Sequence, residues 1–217
     1  MRVVIAGGHG KIAQLLHREL AGRGDTAVGL IRNPDHAAAL RATGAHPVVC
    51  DLEHADTAQV ATHLDGADAV VFAAGAGPGS DAARKDTVDR AAAGLLADAA
   101  EQTGVRRYLL VSSMGVDDTP PAGTDDVFAA YLRAKKAAED NLTARDLDWT
   151  VLRPGRLTDD PPTGRITLTR HADAGAVTRA DVARVLVALL YHPNSAGTVL
   201  ELVAGNTPIA DAVASVA

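Results

Sequence analysis

Short runs of apolar residues, many of them β-branched, recur at positions 3–6, 27–31, 47–50, 69–73, 108–111 and 149–152 with little polar alternation inside them. Strands that bury one face alternate apolar and polar positions, whereas strands of a parallel sheet covered on both faces read as continuous apolar runs. Between the runs the spacing turns helical. In 10–22, Ile12, Leu15, Leu16 and Leu20 share one helix face, and Gly22 and Gly24 supply the stop. This alternation predicts an α/β fold: a doubly wound parallel sheet of six strands, of Rossmann type, with helices on both faces in three layers. Beyond Pro154 the pattern becomes a loop rich in Pro, Asp and Gly. An alternating run 165–170, a helix 179–191, a strand 199–203 and a last helix 208–216 follow. The segment 154–217 is expected to cap the substrate side of a core formed by 1–153, the whole being one domain over 1–217.

Composition narrows the picture. With 217 residues, 47% of them hydrophobic, the chain can build one sizeable core but not a second large domain. Its 21 Lys+Arg against 27 Asp+Glu leave a net charge of −6, so no global positive field exists to hold nucleic acid or an anionic membrane, and an anionic ligand has to be gripped locally. No stretch approaches the roughly 18 uninterrupted apolar residues of a membrane span. Residues 1–7 read as a strand, not as a signal peptide. Cys50, the single cysteine, allows no internal disulfide, reads as a buried apolar residue and fits a reducing compartment. A soluble, cytoplasmic protein, monomeric or homodimeric, acting on a small-molecule substrate is the expectation. None of the eight histidines forms an HxxxH or HExxH arrangement, so no metal site is expected, and the absence of a GxSxG elbow argues against hydrolase chemistry.

The first strand runs directly into Gly7-Gly8-His9-Gly10-Lys11-Ile12-Ala13. Gly7 permits the sharp turn, Gly10 lets backbone approach a pyrophosphate, and Ala13 lets the helix pack closely while its N-terminus faces the anion. A dinucleotide site over Gly7, Gly8, His9, Gly10, Lys11 and Ile12 follows. In NAD-selective sites an acidic residue at the end of the second strand accepts from the ribose 2′-OH. Here that strand ends Leu30-Ile31-Arg32-Asn33, and Asp25 lies at the strand's other end. The Arg32 guanidinium suits a 2′-phosphate, and no carboxylate is expected beside it to repel that phosphate, so NADP(H) is favoured over NAD(H). Arg32 is otherwise a solvated strand-end charge, with Arg2 or Lys11 assisting instead. Asp51 and Leu52, after the third strand, sit where a carboxylate accepts from the adenine amino group, unless Asp51 caps the next helix. Ala73, Ala74 and Gly75 keep side chains clear of the adenine ribose.

Tyr131-Leu132-Arg133-Ala134-Lys135 puts a phenol and an ammonium four residues apart on one helix face, and a cation beside a phenol lowers its pKa toward proton exchange near neutrality. The fifth strand ends in Ser112-Ser113, where a hydroxyl can orient the same oxygen. The acidic run 117–126 is either a loop over the site or a solvated connection, and His171 is a further candidate to reach substrate.

A strand-end serine, a following Tyr-x-x-x-Lys helix and an N-terminal GxxGxxA turn together resemble the short-chain dehydrogenase/reductase superfamily, in particular its short, atypical NAD(P)H-binding and NmrA-like branch. The resemblance runs nearly end to end. It includes Arg153-Pro154-Gly155-Arg156 and Thr178-Arg179-Ala180-Asp181-Val182-Ala183. It implies that Tyr131 is the general acid/base, that Lys135 binds the nicotinamide ribose and tunes Tyr131, and that Ser113, or else Ser112, holds the substrate oxygen. Ser112 would also line the cofactor, and Pro154, Gly155 and Arg156 would flank the nicotinamide. Family members often add an asparagine from the helix before the fifth strand. Segment 80–101 has none, and Asp89 is the nearest polar substitute. The activity implied is an NADPH-dependent reductase acting on a small carbonyl or conjugated acceptor. The alternatives are a catalytically silent NADP(H) sensor and an epimerase or dehydratase, although nucleotide-sugar enzymes usually carry a larger C-terminal region.

Overall fold

A computed structural model describes residues 1–77, 79–118 and 123–216. Along the chain run β1 (Arg2–Ala6), α1 (Lys11–Gly22), β2 (Thr26–Ile31), α2 (Ala37–Arg41), β3 (His46–Val49), α3 (Thr57–Leu64) and β4 (Ala69–Phe72). A continuous helical stretch follows: α4 (Ala82–Arg84), a π-helical segment Lys85–Ala91 and α5 (Ala92–Thr103). Then come β5 (Arg107–Val111), α6 (Asp126–Thr143), β6 (Asp148–Pro154), β7 (Arg156–Thr158), β8 (Arg165–Thr169) and β9 (Ala176–Thr178). The chain ends with α7 (Arg179–Leu190), β10 (Thr198–Ala204), β11 (Thr207–Pro208) and α8 (Ile209–Ala214).

The six expected strands form a parallel sheet in the order β3-β2-β1-β4-β5-β6, the doubly wound arrangement. Successive residues of β1 face opposite ways. Val3 and Ile5 join the core under α1, α7 and α8, while Val4 and Ala6 join the core under α3, α5 and α6. All four are fully buried, which is why the run shows no polar alternation. Cys50 is buried as expected. No helix among the described residues is long and apolar enough to cross a membrane.

The C-terminal segment extends the sheet. β10 lies parallel beside β6, and β8 and β11 continue the same sheet antiparallel, making nine strands, while β7 and β9 pair in a separate two-stranded sheet. The motif 178–183 explains part of this. Thr178 caps α7 by accepting from the Asp181 amide, and the buried Asp181 carboxylate accepts from the amides of Thr163 (2.9 Å) and Gly164 (2.9 Å), fixing the turn that enters β8. Gly155 is needed for a close crossing: a Cβ there would lie 2.4 Å from the Gly175 carbonyl oxygen.

His17, on the sheet-facing side of α1, is fully buried, and its Nε2 is 3.0 Å from the Gly8 carbonyl oxygen, so as a neutral donor it ties the glycine turn to the helix. Burial lowers its pKa to about 4, against a smaller upward effect of that hydrogen bond. In the unfolded chain the imidazole titrates near 6.5. Between these values the unfolded state binds a proton that the folded state refuses, so stability falls as pH drops from 6.5 toward 4 and is fully present above 6.5. Lowering the pH from 7 to 5 is expected to cost about 2 kcal/mol through this one group. His17→Gln, which keeps a donor but cannot titrate, is expected to lose that part of the pH dependence in urea unfolding. Parallel pH profiles for the two proteins would refute it.

Candidate functional site

The turn from β1 into α1 is pressed against the end of β4. Gly7 has φ +75°, and a Cβ there would lie 2.5 Å from the Ala74 Cα, so no other residue fits. Gly10, the N-cap of α1, has extended backbone and brings no side chain to the helix end. Side chains cap the other long helices that start from loops: Asp56 on α3, Asp125 on α6 and Thr178 on α7. The first-turn amides of α1, on Lys11, Ile12 and Ala13, therefore have no side-chain cap, and no acidic residue occupies that turn. This is the arrangement an anionic phosphate fits. The Lys11 ammonium is turned to the protein surface, 2.6 Å from Asp159.

A cleft of about 360 Å³ opens on this turn along the C-terminal ends of β1 to β4. Gly7, Gly8, His9 and Gly10 form one wall, Arg32 and Asn33 another, and Asp51, Leu52, Ala73, Ala74 and Gly75 the floor and far side. Gly7, Gly8, His9, Gly10, Arg32, Asp51, Leu52, Ala73, Ala74 and Gly75 of the expected dinucleotide residues thus line one groove, whereas Lys11, Ile12, Ser112, Lys135, Pro154, Gly155 and Arg156 do not line it. Asp51 does not cap the next helix, since Asp56 does so. Its carboxylate accepts from the Glu53 amide (3.1 Å) and meets His54 Nδ1 (3.0 Å). The His9 ring stacks on His36 with centroids 3.6 Å apart, and burial, together with the neighbouring imidazole, lowers the His9 pKa.

Two expectations at this end are corrected. Arg2 cannot assist a phosphate, because its side chain bonds the Asp65 and His63 carbonyls at the opposite edge of the sheet. Arg32 does have a carboxylate beside it. Glu53, which follows the third strand in sequence, accepts from Arg32 Nη1 (2.9 Å), from Arg84 Nη2 (3.0 Å) and from the Thr87 hydroxyl (2.8 Å). Burial pushes the Glu53 carboxyl up, but these hydrogen bonds and the two guanidinium charges outweigh it and hold the pKa below the usual value. The contact spans 21 residues between separate loops, beyond any local pattern.

The second half of the site is carried by α6. Arg153, at the end of β6, grips Glu139 of α6 with two hydrogen bonds of 3.0 and 2.5 Å and reaches Asp117 at 2.5 Å. The Arg153 and Glu139 side chains are buried, so the ion pair fixes how α6 lies against the sheet edge. Two helical turns before Glu139, Tyr131 stands half-buried, its ring stacked on exposed Phe128 with centroids 6.0 Å apart. The Lys135 ammonium is 5.9 Å from the Tyr131 ring centroid, and the ammonium of Lys85, which no sequence pattern had singled out, is 5.5 Å from it.

Lys135 is buried and donates to the carbonyls of Val111 (3.0 Å) and Ala74 (3.3 Å). Its third neighbour is Asp89 Oδ1 at 3.2 Å, an ion pair without hydrogen-bond alignment. The other Asp89 oxygen accepts from the Ala76 amide at 3.1 Å. The carboxylate thus stands next to the lysine in place of an asparagine. Lys85 and Asp89, four residues apart, both turn inward from the π-helical segment. The pair is joined to the cleft through Ala74, which both lines the groove and accepts from Lys135.

The two serines differ. The Ser112 hydroxyl is buried with no partner, while Ser113 is half-buried and donates to the Met114 carbonyl at 3.1 Å. Pro154 ends β6, its carbonyl accepting from the Met114 amide at 3.0 Å, so the serine turn and the 154–156 segment adjoin. Arg156 is exposed. The acidic run 117–126 is anchored at both ends, by Asp117 on Arg153 and by Asp125 at the start of α6. Its middle, 119–122, lies outside the described residues.

The sequence model of the NAD(P)H-binding family matches residues 7–193 of this chain. A relative from Bacillus subtilis (strain 168), named "Uncharacterized sugar epimerase YhfK", is 30% identical over 98% of this chain and 99% of its own length. A solved Bacillus halodurans structure, named "Putative NAD-dependent epimerase/dehydratase", superposes with a TM-score of 0.91 at 36% identity, covering 99% of each chain. The Escherichia coli O157:H7 protein ChuY, named an anaerobillin reductase, superposes with a TM-score of 0.77 at 27% identity over 94% of this chain and 97% of its own. The uncapped glycine turn, the groove beside it and these similarities agree, and the chain belongs to the NAD(P)H-binding, NmrA-like branch of the atypical short-chain dehydrogenases/reductases.

Proposed function

We propose that the protein is an NADPH-dependent reductase that delivers a hydride to a small carbonyl or conjugated acceptor, with Tyr131 as the proton donor. The observation that carries this reading is the Tyr131 phenol. It stands half-buried with no hydrogen-bond partner for its hydroxyl among the described residues, and two ammonium groups, of Lys85 and Lys135, lie 5.5 and 5.9 Å from its ring centroid. A phenol so placed has its hydroxyl open to an acceptor bound beside it.

A reduced nicotinamide bound in the groove supplies the hydride. The residues of this chain do the rest. The amides of α1 and the backbone of Gly7, Gly8, His9 and Gly10 would hold the pyrophosphate, Asp51 and Leu52 would serve the adenine, and Ala73, Ala74 and Gly75 the ribose. Ser112 and the segment Pro154, Gly155, Arg156 would serve the nicotinamide end. Ser113 swings off the Met114 carbonyl to hold the acceptor oxygen, and Tyr131 gives that oxygen its proton, which solvent then replaces. Lys135, held by Asp89 and two carbonyls, acts by keeping positive charge beside the phenol. The name of ChuY supports reduction. The name of the Bacillus subtilis relative favours a second reading, epimerisation, in which the same phenol would return a proton to a sugar carbon or oxygen.

Tyr131→Phe is expected to lower NADPH consumption with quinone, flavin, aldehyde and imine acceptors at least a hundredfold while leaving the NADPH Kd within about twofold. Full activity in that variant would sink the mechanism. Tight NADPH binding by the wild type with no turnover on any acceptor would favour the silent sensor. Variants of Lys135 must be read against stability, since removing one member of a buried ion pair leaves the other charge unpaired. Lys135→Met is expected to cost about 3–5 kcal/mol in urea unfolding. The double variant Lys135→Met/Asp89→Asn should regain most of it, and an equal loss in both would show that the pair is not the cause.

A further inference from the structure

We propose that Glu53 is an internal stand-in for the 2′-phosphate of NADP(H), and that its displacement from between Arg32 and Arg84 sets the protein's choice between NADP(H) and NAD(H). The inference rests on the reading that the groove takes NADP(H), and names the unit that discriminates.

Three separate elements converge at the adenine rim of the groove. Arg32 comes from the end of β2, Glu53 from the loop after β3, and Arg84 from α4. Both guanidiniums bond the same oxygen, Glu53 Oε2, at 2.9 and 3.0 Å, while Oε1 takes the Thr87 hydroxyl at 2.8 Å. The carboxylate is the inner member, its side chain 17% exposed, against 54% for Arg32 and 37% for Arg84. Two forked cations and a hydroxyl donor closing on one small anion is the donor set that recognises a phosphate. Glu53 is ionised at neutral pH, since its partners hold its pKa below the ordinary carboxylate value.

Charge decides what each cofactor meets. Two arginines and one glutamate sum to +1. A phosphate monoester brings about −1.5 to −2 charges and three acceptor oxygens, so it satisfies both guanidiniums only if Glu53 leaves. With Glu53 in place the phosphate faces a like charge. NAD(H) has a 2′-hydroxyl instead, and Glu53 can stay and accept from it, the role an acid plays at this edge of a dinucleotide fold. Glu53 therefore lowers NADP(H) affinity and supports NAD(H), while Arg32 and Arg84 act the other way. An ordinary surface ion pair would be worth little and would not distinguish the two cofactors.

Titration calorimetry on the full chain, with NADPH, NADH and 2′-AMP as probes, tests this without any turnover. Glu53→Gln is expected to tighten NADPH and 2′-AMP by about tenfold, the equivalent of one removed like-charge contact, while NADH holds or weakens. Arg84→Met is expected to weaken NADPH and 2′-AMP about tenfold and to move NADH by less than twofold. The NADPH advantage of Glu53→Gln should also shrink as salt rises. An NADPH-to-NADH affinity ratio unchanged by Glu53→Gln overturns the inference. If Arg84→Met still lowers NADPH affinity in that case, NADP(H) use survives and only the role of Glu53 fails. If the wild type prefers NADH and neither Arg32→Met nor Arg84→Met affects NADPH, NADP(H) use fails with it. Circular dichroism confirms that each variant is folded, and Glu53→Ala repeats the test should the glutamine variant not fold.

Discussion

The contact between the β1 turn and the end of β4 is the constraint on which the rest of the site depends. With β1 seated between β2 and β4, the chain leaving β1 must cross over the end of its neighbour to enter α1. The crossing brings Gly7 so close to Ala74 that a Cβ would overlap backbone. That closeness fixes three things together: where α1 starts, which way its unpaired amides point, and how near the Ala73–Ala74–Gly75 backbone runs to the groove. It also leaves the helix end without a side-chain cap, because Gly10 has none to offer. A helix terminus left in that state needs water or an anion. The buried His17 donor holds the turn in shape from beneath.

At the other end of the groove, geometry is set by buried charge. Replacing a buried ion pair with apolar residues is often neutral or stabilising, so such pairs are poor evidence of stability and better evidence that a position matters. Here two of them lie on α6, Glu139 with Arg153 and Lys135 with Asp89. Together with Tyr131 they repeat every four residues along the helix, so one stripe of α6 is tied to the end of β6, to the ends of β4 and β5, and to the π-helical segment. Rotation of α6 about its axis would break both pairs at once. The phenol is thereby held by its helix, with no hydrogen bond of its own among the described residues.

Much of this architecture is legible in the chain because it is local or periodic. Continuous apolar runs identify the central strands, and the glycine turn and the Tyr131–Lys135 spacing identify the groove and the phenol. What escapes is contact between distant loops. Arg32 reads as unopposed because its carboxylate partner lies 21 residues on, across the β2–α2–β3 crossover. Lys85 escapes because its contact with the Tyr131 ring joins two separate helical elements. The run 199–203 is readable as a strand, but neither its seat beside β6 nor the antiparallel pairing of β8 with it follows from composition. Those depend on Asp181 fixing the entry to β8 and on the close crossing at Gly155.

The acidic balance of the chain then takes on a local meaning. Nearly every cation around the groove already holds a carboxylate: Arg32 and Arg84 hold Glu53, Lys11 and Arg179 hold Asp159, Lys135 holds Asp89, and Arg153 holds Glu139 and Asp117. The start of α1 is positive and has no side-chain cap or acidic residue, so an anion placed there would be met by backbone alone. Elsewhere an incoming phosphate has to compete with a carboxylate the protein supplies. A protein of net charge −6 can therefore bind a highly anionic dinucleotide without a free basic patch to attract other polyanions. On the proposed role of Glu53, affinity would come from the uncapped helix end and selectivity from exchange at the one site where that carboxylate sets the threshold.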